Sequence, residues 1–272
     1  MMRWFNGALA TCSFELRRSF TVQRTSVSIV LALFPPAILL ILILATRLSG
    51  DVQAQMAIQS LTKLLTVFLV ALVCLLTTLL WATPNVYSEI EGKTWGFIAS
   101  RPGGRVSVFL GKFLASFLVS FGVSVVAISL CIFLADRSFG IFDAQGLWLA
   151  ICGVFLLGCM VYSAVFSMIG TLFIKRAMVV AAGYLFGSEV ILATIPDAII
   201  SKLTIRSHLQ ELGIAWIGWF IPSPTEAEYR DAYGDALPIW IHIVVLFGVA
   251  ALTLWIGGWT IVNREYITKD DG

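Results

Sequence analysis

The chain has 272 residues, of which 59% are hydrophobic and only 12% charged, and its mean hydropathy is +0.93. Water-soluble domains carry about 25% charged residues, so this composition excludes a globular protein with a polar surface. The formal net charge of +2 gives no basis for nucleic-acid binding.

Residues 1–24 form an N-terminal segment ahead of the first apolar run. Within it, residues 3–20 read as an amphipathic helix. Phe5, Leu9, Leu16 and Phe20 fall within about 60° on a helical wheel, and Arg3, Arg17 and Arg18 lie opposite. Such a helix lies in a membrane interface; a solvated leader with chance periodicity is the alternative. No early apolar run with a small-residue cleavage site is present, so no cleavable signal peptide is expected.

Six apolar runs follow, at 26–46, 64–83, 113–135, 147–174, about 177–200 and 238–262. Each meets the ~18-residue requirement for a helix that crosses a bilayer. The runs are continuous rather than alternating, which excludes a β-barrel. The expected fold is an all-α polytopic membrane protein, one transmembrane domain over 1–272. Pro35 and Pro36 sit inside the first run and are expected to bend it, since each removes a backbone donor. Glu189 is the one carboxylate of the fifth run. It reads either as a pathway residue or as an interhelical hydrogen-bonding partner, because a carboxylate in lipid costs ~3 kcal/mol or more. Gly183 and Gly187 form a small-xxx-small pattern suited to helix packing.

Orientation follows from Lys and Arg. With the N-terminus inside, the inner loops carry Arg3, Arg17, Arg18, Arg24, Lys93, Arg101, Arg105, Lys112, Lys175, Arg176, Arg264 and Lys269. The outer loops carry half as many: Arg47, Lys63, Arg137, Lys202, Arg206 and Arg230. Both termini are therefore expected in the cytosol. The outer segment 201–236 contains Trp216, Trp219 and Phe220, which suit an interfacial or re-entrant helix. Glu226, Glu228, Asp231 and Asp235 follow, as a solvated acidic loop or a cation-capturing patch.

Cys12, Cys74, Cys131, Cys152 and Cys159 are odd in number and without a CxxC, so packing roles are expected rather than disulfides or zinc. His208 and His242 are too few for a metal cluster, and no metal is expected.

The segment 85–112, between the second and third runs, is far longer than a plain connection needs. It starts with Glu89 and Glu91, continues through semi-apolar Trp95–Ala99, and breaks at Arg101-Pro102-Gly103-Gly104. Two short helices at the cytosolic face, offering a docking surface to a soluble partner, fit this pattern; an ordinary charged loop is the alternative.

The stretch SEIEGKTWGFIASRPGGRVSVFLGKFLASFLV resembles the segment after the second span of type-2 ABC exporter permeases. In that family an acidic pair precedes Gly-Thr-like residues, a short helix, Ser-Arg/His-Pro, a basic residue and an aliphatic-Gly-Lys run. Glu89, Glu91, Gly92, Thr94, Ser100, Arg101, Pro102, Arg105, Gly111 and Lys112 match; Lys93 occupies a variable position and Gly103-Gly104 replaces the usual Val-Ser. The layout is similar too, from an amphipathic N-terminal helix to an external helix between spans five and six. The resemblance implies a permease subunit of an ATP-driven exporter in the plasma (bacterial inner) membrane. It implies a coupling helix that docks on a separate ATP-binding cassette subunit through Glu89, Glu91, Gly92, Lys93, Thr94, Arg101 and Pro102, and a second permease copy, identical or not. ATP and magnesium would reside on the partner: Glu91-Gly92-Lys93-Thr94 looks like the end of a phosphate loop, but the position five before Gly92 is Tyr87 rather than Gly. No enzymatic motif such as HExxH or GxSxG is present, so an intramembrane enzyme is disfavoured. A non-transporting scaffold or a channel is the other alternative.

Overall fold

The computed structural model describes residues 2–19, 21–49, 71–91, 94–99, 103–139, 144–191, 204–217 and 238–264. These residues are helical almost throughout, with no strand among them. The helices are α1 (Met2–Ser19), α2 (Val22–Ser49), α3 (71–82, ending in a 3-10 turn at Thr83–Asn85), α4 (Tyr87–Glu91) and α5 (Trp95–Ala99). They continue with α6 (Gly104–Phe139), α7 (Ala144–Leu172), α8 (Ala177–Tyr184, running into a π-turn at Leu185–Ile191), α9 (Ile205–Ile217) and α10 (Ile239–Asn263).

Five described stretches are long and apolar enough to cross a membrane: Arg24–Ala45, Ala71–Ile90, Gly104–Ser138, Ala144–Leu172 and Ile239–Asn263. The fifth expected span, 177–200, is described only to Ile191, so its full length lies outside the described residues. One sequence boundary shifts. The third span was expected from residue 113, but its helix starts at Gly104, directly after the turn at Gly103, whose φ of 71° is a left-handed conformation suited to glycine. The polar residues Arg105 and Lys112 lowered the hydropathy there without ending the helix. The prolines of the first span, both buried, lie within one uninterrupted helix.

Helix α7 is the centre of the bundle. It packs against α6, α8, α9, α10 and the Thr83–Asn85 turn, and its buried residues include Phe155, Val161, Tyr162 and Phe166. Helices α1 and α2 both lie on α6. The buried stripe of α1 is Ala8, Cys12, Glu15 and Ser19, spaced to form one helical face, while Leu9 and Phe14 stay exposed. Small residues thus face the protein, and large apolar ones face away. Cys74 of α3 and Cys159 of α7 are buried with their sulfurs 3.1 Å apart.

Close helix approach depends on several glycines. A Cβ on Gly111 would lie 2.6 Å from the Ala8 carbonyl oxygen and 2.6 Å from Thr11 Cβ, so only glycine lets α1 settle on α6. Gly170 faces the Thr83 carbonyl oxygen even more closely, and Gly257 leaves room for the Phe109 ring. By contrast, a Cβ at Gly183 or Gly187 meets nothing within 4 Å, so the expected packing pattern holds no neighbouring helix among the described residues.

Gly111→Ala should therefore destabilise the protein by about 1–3 kcal/mol through overpacking. Gly122→Ala, where a Cβ meets nothing within 4 Å, should be neutral or slightly stabilising. Unfolding midpoints of both variants in detergent check this.

Candidate functional site

The segment after α3 folds back on the bundle as two short helices. Trp95 of α5 is buried with Val86, Phe109 of α6 and Ile261 of α10, and Ile90 and Ile98 pack against this cluster. Thr94 links the two helices: its backbone N–H donates to the Glu89 carbonyl at 3.1 Å, and its hydroxyl bonds the Glu89 carboxylate. Its own carbonyl accepts the first bonds of α5, from Phe97 and Ile98. With Trp95 turned inward, Phe97 two residues on is turned out and is 77% exposed.

Glu89 is buried and points into the protein. Its Oε1 lies 2.6 Å from Lys112 Nζ of α6, whose side chain is only 4% exposed. Lys112 Nζ also lies 3.2 Å from Glu15 Oε1 of α1, and it donates to Ser88 Oγ at 3.3 Å. Arg18 reaches both carboxylates from outside, at 3.8–3.9 Å with half its side chain in solvent. Two cations and two anions thus form a closed group joining α1, α4 and α6. A buried ammonium needs such partners, because removing it from water costs several kcal/mol. Asn85 adds a neutral tie, its amide donating to Ser116 Oγ of α6 at 3.2 Å and Ser167 Oγ of α7 at 3.3 Å. Arg105 donates to the Val262 carbonyl at 3.0 Å, and Arg264 to the Leu172 carbonyl at 2.7 Å, each cation sitting on the carbonyl end of a long helix.

Of the docking residues expected from sequence, Gly92, Lys93, Arg101 and Pro102 lie outside the described residues, and Glu91 is the last residue of α4. Glu89 and Thr94 are brought together and bonded to each other. Lys112 belonged to the motif but was not expected as a site residue, and Glu15 was not singled out at all. The signal for Glu15 was its place in the stripe of small residues on α1.

Glu189, 1% exposed, sits in the π-turn. Its Oε2 accepts from Tyr162 Oη of α7 at 2.7 Å and from the backbone N–H of Arg206 at 3.0 Å, and its Oε1 accepts from Tyr184 Oη at 3.1 Å. The Arg206 guanidinium donates to the Glu189 carbonyl at 3.0 Å. This carboxylate ties α7 and the start of α9 to the fifth apolar run. The π-turn matters here, because its wider winding lets Tyr184 meet a residue five positions on.

Helix α9 itself packs into the bundle against α7 and α10. Trp216 lies over Gly153, and Leu212 is fully buried. The chain's two histidines meet there, His208 Nδ1 being 2.8 Å from His242 Nδ1 of α10. Burial and then the neighbouring His242 ring push the His208 pKa down, which favours a neutral ring. One Nδ1 then donates and the other accepts. Trp219, Phe220 and the acidic residues 226–235 lie outside the described residues.

Long apolar helices joined by buried polar ties, with a folded-back helix pair at one end, define a multi-pass membrane protein. The model of the ABC-2 family transporter proteins matches residues 53–259, and the chain belongs to that family. It is a membrane permease of an ABC-type system, a component that is typically non-enzymatic and works with ATP-binding cassette subunits. No curated protein matches the chain at a significant level.

Lys112→Met should destabilise by about 3–5 kcal/mol, since it leaves Glu15 and Glu89 buried without their shared cation. Adding Glu15→Gln and Glu89→Gln should recover most of that loss. Arg18→Ala, at a half-exposed position, should change stability by less than about 1 kcal/mol. Denaturation of the purified variants gives the comparison.

Proposed function

We propose that the chain is the permease half of an ATP-driven exporter, energised by a separate ATP-binding cassette subunit that docks on the segment 85–112. ATP and magnesium belong to that partner, and two permease copies, identical or not, complete the membrane domain. In this reading both termini are cytosolic and α1 lies along the inner membrane surface, with Leu9 and Phe14 toward lipid.

The observation that carries the reading is the α4–α5 pair. It is anchored from within by Trp95 and by the Glu89–Lys112 contact, yet it presents Phe97 outward. An anchored helix pair with an exposed aromatic residue suits a surface that receives a push and passes it on. The force reaches α6 through Lys112 and α7 through Asn85. Glu189 acts in this reading as an interhelical tie, since three donors already satisfy its carboxylate.

Co-purification with the co-expressed ATP-binding cassette subunit tests the docking. Phe97→Glu, Glu91→Arg and Arg101→Glu should each reduce the retained ATPase about tenfold while leaving the permease folded. Unchanged retention in all three variants sinks the docking assignment. Single cysteines at 104 and 230 should react with an impermeant thiol reagent from opposite faces of the membrane; reaction of both from one face contradicts the topology.

A further inference from the structure

A cavity of about 290 Å³ opens between α1, α2, the end of α3 and α6. Arg24, Val27, Leu80, Trp81, Asn85 and Lys112 are among its walls. It lies at a membrane boundary: Arg24 is the first residue of one spanning stretch, and Leu80–Ser88 belong to the last turns of another.

The charges of this corner do not cancel. Glu15 and Glu89 are matched by Lys112 and Arg18. Arg24 is left over: its guanidinium lies 5.0 Å from the centre of the Trp81 ring, and no carboxylate among the described residues pairs with it. The Trp81 indole N–H beneath this guanidinium is itself buried and makes no hydrogen bond. A buried donor in that state costs about 1–3 kcal/mol. The cavity thus holds a positive charge that no carboxylate among the described residues matches, against an apolar wall.

That wall continues out of the cavity. From Val27, the exposed residues Val30 and Phe34 follow along the same face of α2 at helical spacing. The volume sits at the small end of ligand pockets, enough for a polar head but not for a whole amphiphile.

We propose that this cavity binds the phosphate-bearing head of an anionic membrane lipid. Its phosphate oxygens accept from Arg24, the charge-assisted pairing that guanidinium groups make best. One acyl chain lies along Val27, Val30 and Phe34. The proposal concerns this chain alone and does not depend on how transport is energised.

Native mass spectrometry of the full chain, titrated in detergent with phosphatidylglycerol or phosphatidylcholine, tests it. The expected result is one phosphatidylglycerol adduct at least about tenfold tighter than any phosphatidylcholine adduct. Arg24→Ala should weaken it about tenfold. Leu80→Trp, which fills the apolar side from a partly exposed position, should weaken it similarly without removing a charge. Arg137→Ala, at the opposite end of α6, should leave it unchanged. Equal binding of the two lipids, or phosphatidylglycerol binding that survives both cavity variants, overturns the proposal. Displacement of the lipid by millimolar inorganic phosphate or glycerol phosphate also overturns it, since the site would then serve a soluble anion.

Discussion

One buried ammonium organises an entire end of this molecule. Lys112 is almost sealed from solvent, and no single carboxylate from its own helix is available to neutralise it. It takes Glu15 from one element and Glu89 from another. The requirement that a desolvated cation be paired therefore becomes a requirement that α1 and α4 both sit on α6. The preceding residue makes this possible, because Gly111 has no side chain to hold α1 away. The Gly-Lys pair acts as one device, with a steric half and an electrostatic half.

Glu189 solves the same problem by other means. Instead of a paired ammonium it accepts two phenolic hydroxyls and a backbone N–H. A cation cluster suits the end of the bundle, where water is near and Arg18 is half solvated. Hydroxyl and amide donors suit an enclosed position between helices. The two carboxylates fasten different parts, one the folded-back helix pair and the other the helix α9, which returns into the bundle beside α7 and α10.

Five spans were legible in the sequence because membrane crossing requires length and apolarity, both local properties. The two short helices after the second span were legible from Trp95, Phe97 and Ile98 placed between acidic residues and a Pro-Gly-Gly break. What escaped was long-range pairing. Lys112 read as a polar flank of a span starting at residue 113, because hydropathy counts a lysine as exposed whether or not two distant carboxylates neutralise it. Glu15 was hidden by the large side chains of α1, which pull the amphipathic axis toward the exposed face, whereas the face packed on protein is made mostly of small residues. The Tyr184–Glu189 contact depends on a π-turn that a wheel of 100° per residue does not contain. Gly183 and Gly187 form a packing pattern that no neighbour meets among the described residues.

The contact of α1 with α6 has a consequence for how the protein is made. Helix α1 precedes α6 in the chain, so the residues that receive it, Ser107, Gly111 and Lys112, are synthesised two spans later. Until then the only partner of Glu15 is the half-solvated Arg18 one turn along its own helix. Docking of α1 therefore has to wait for the third span, because the surface that receives it is part of α6.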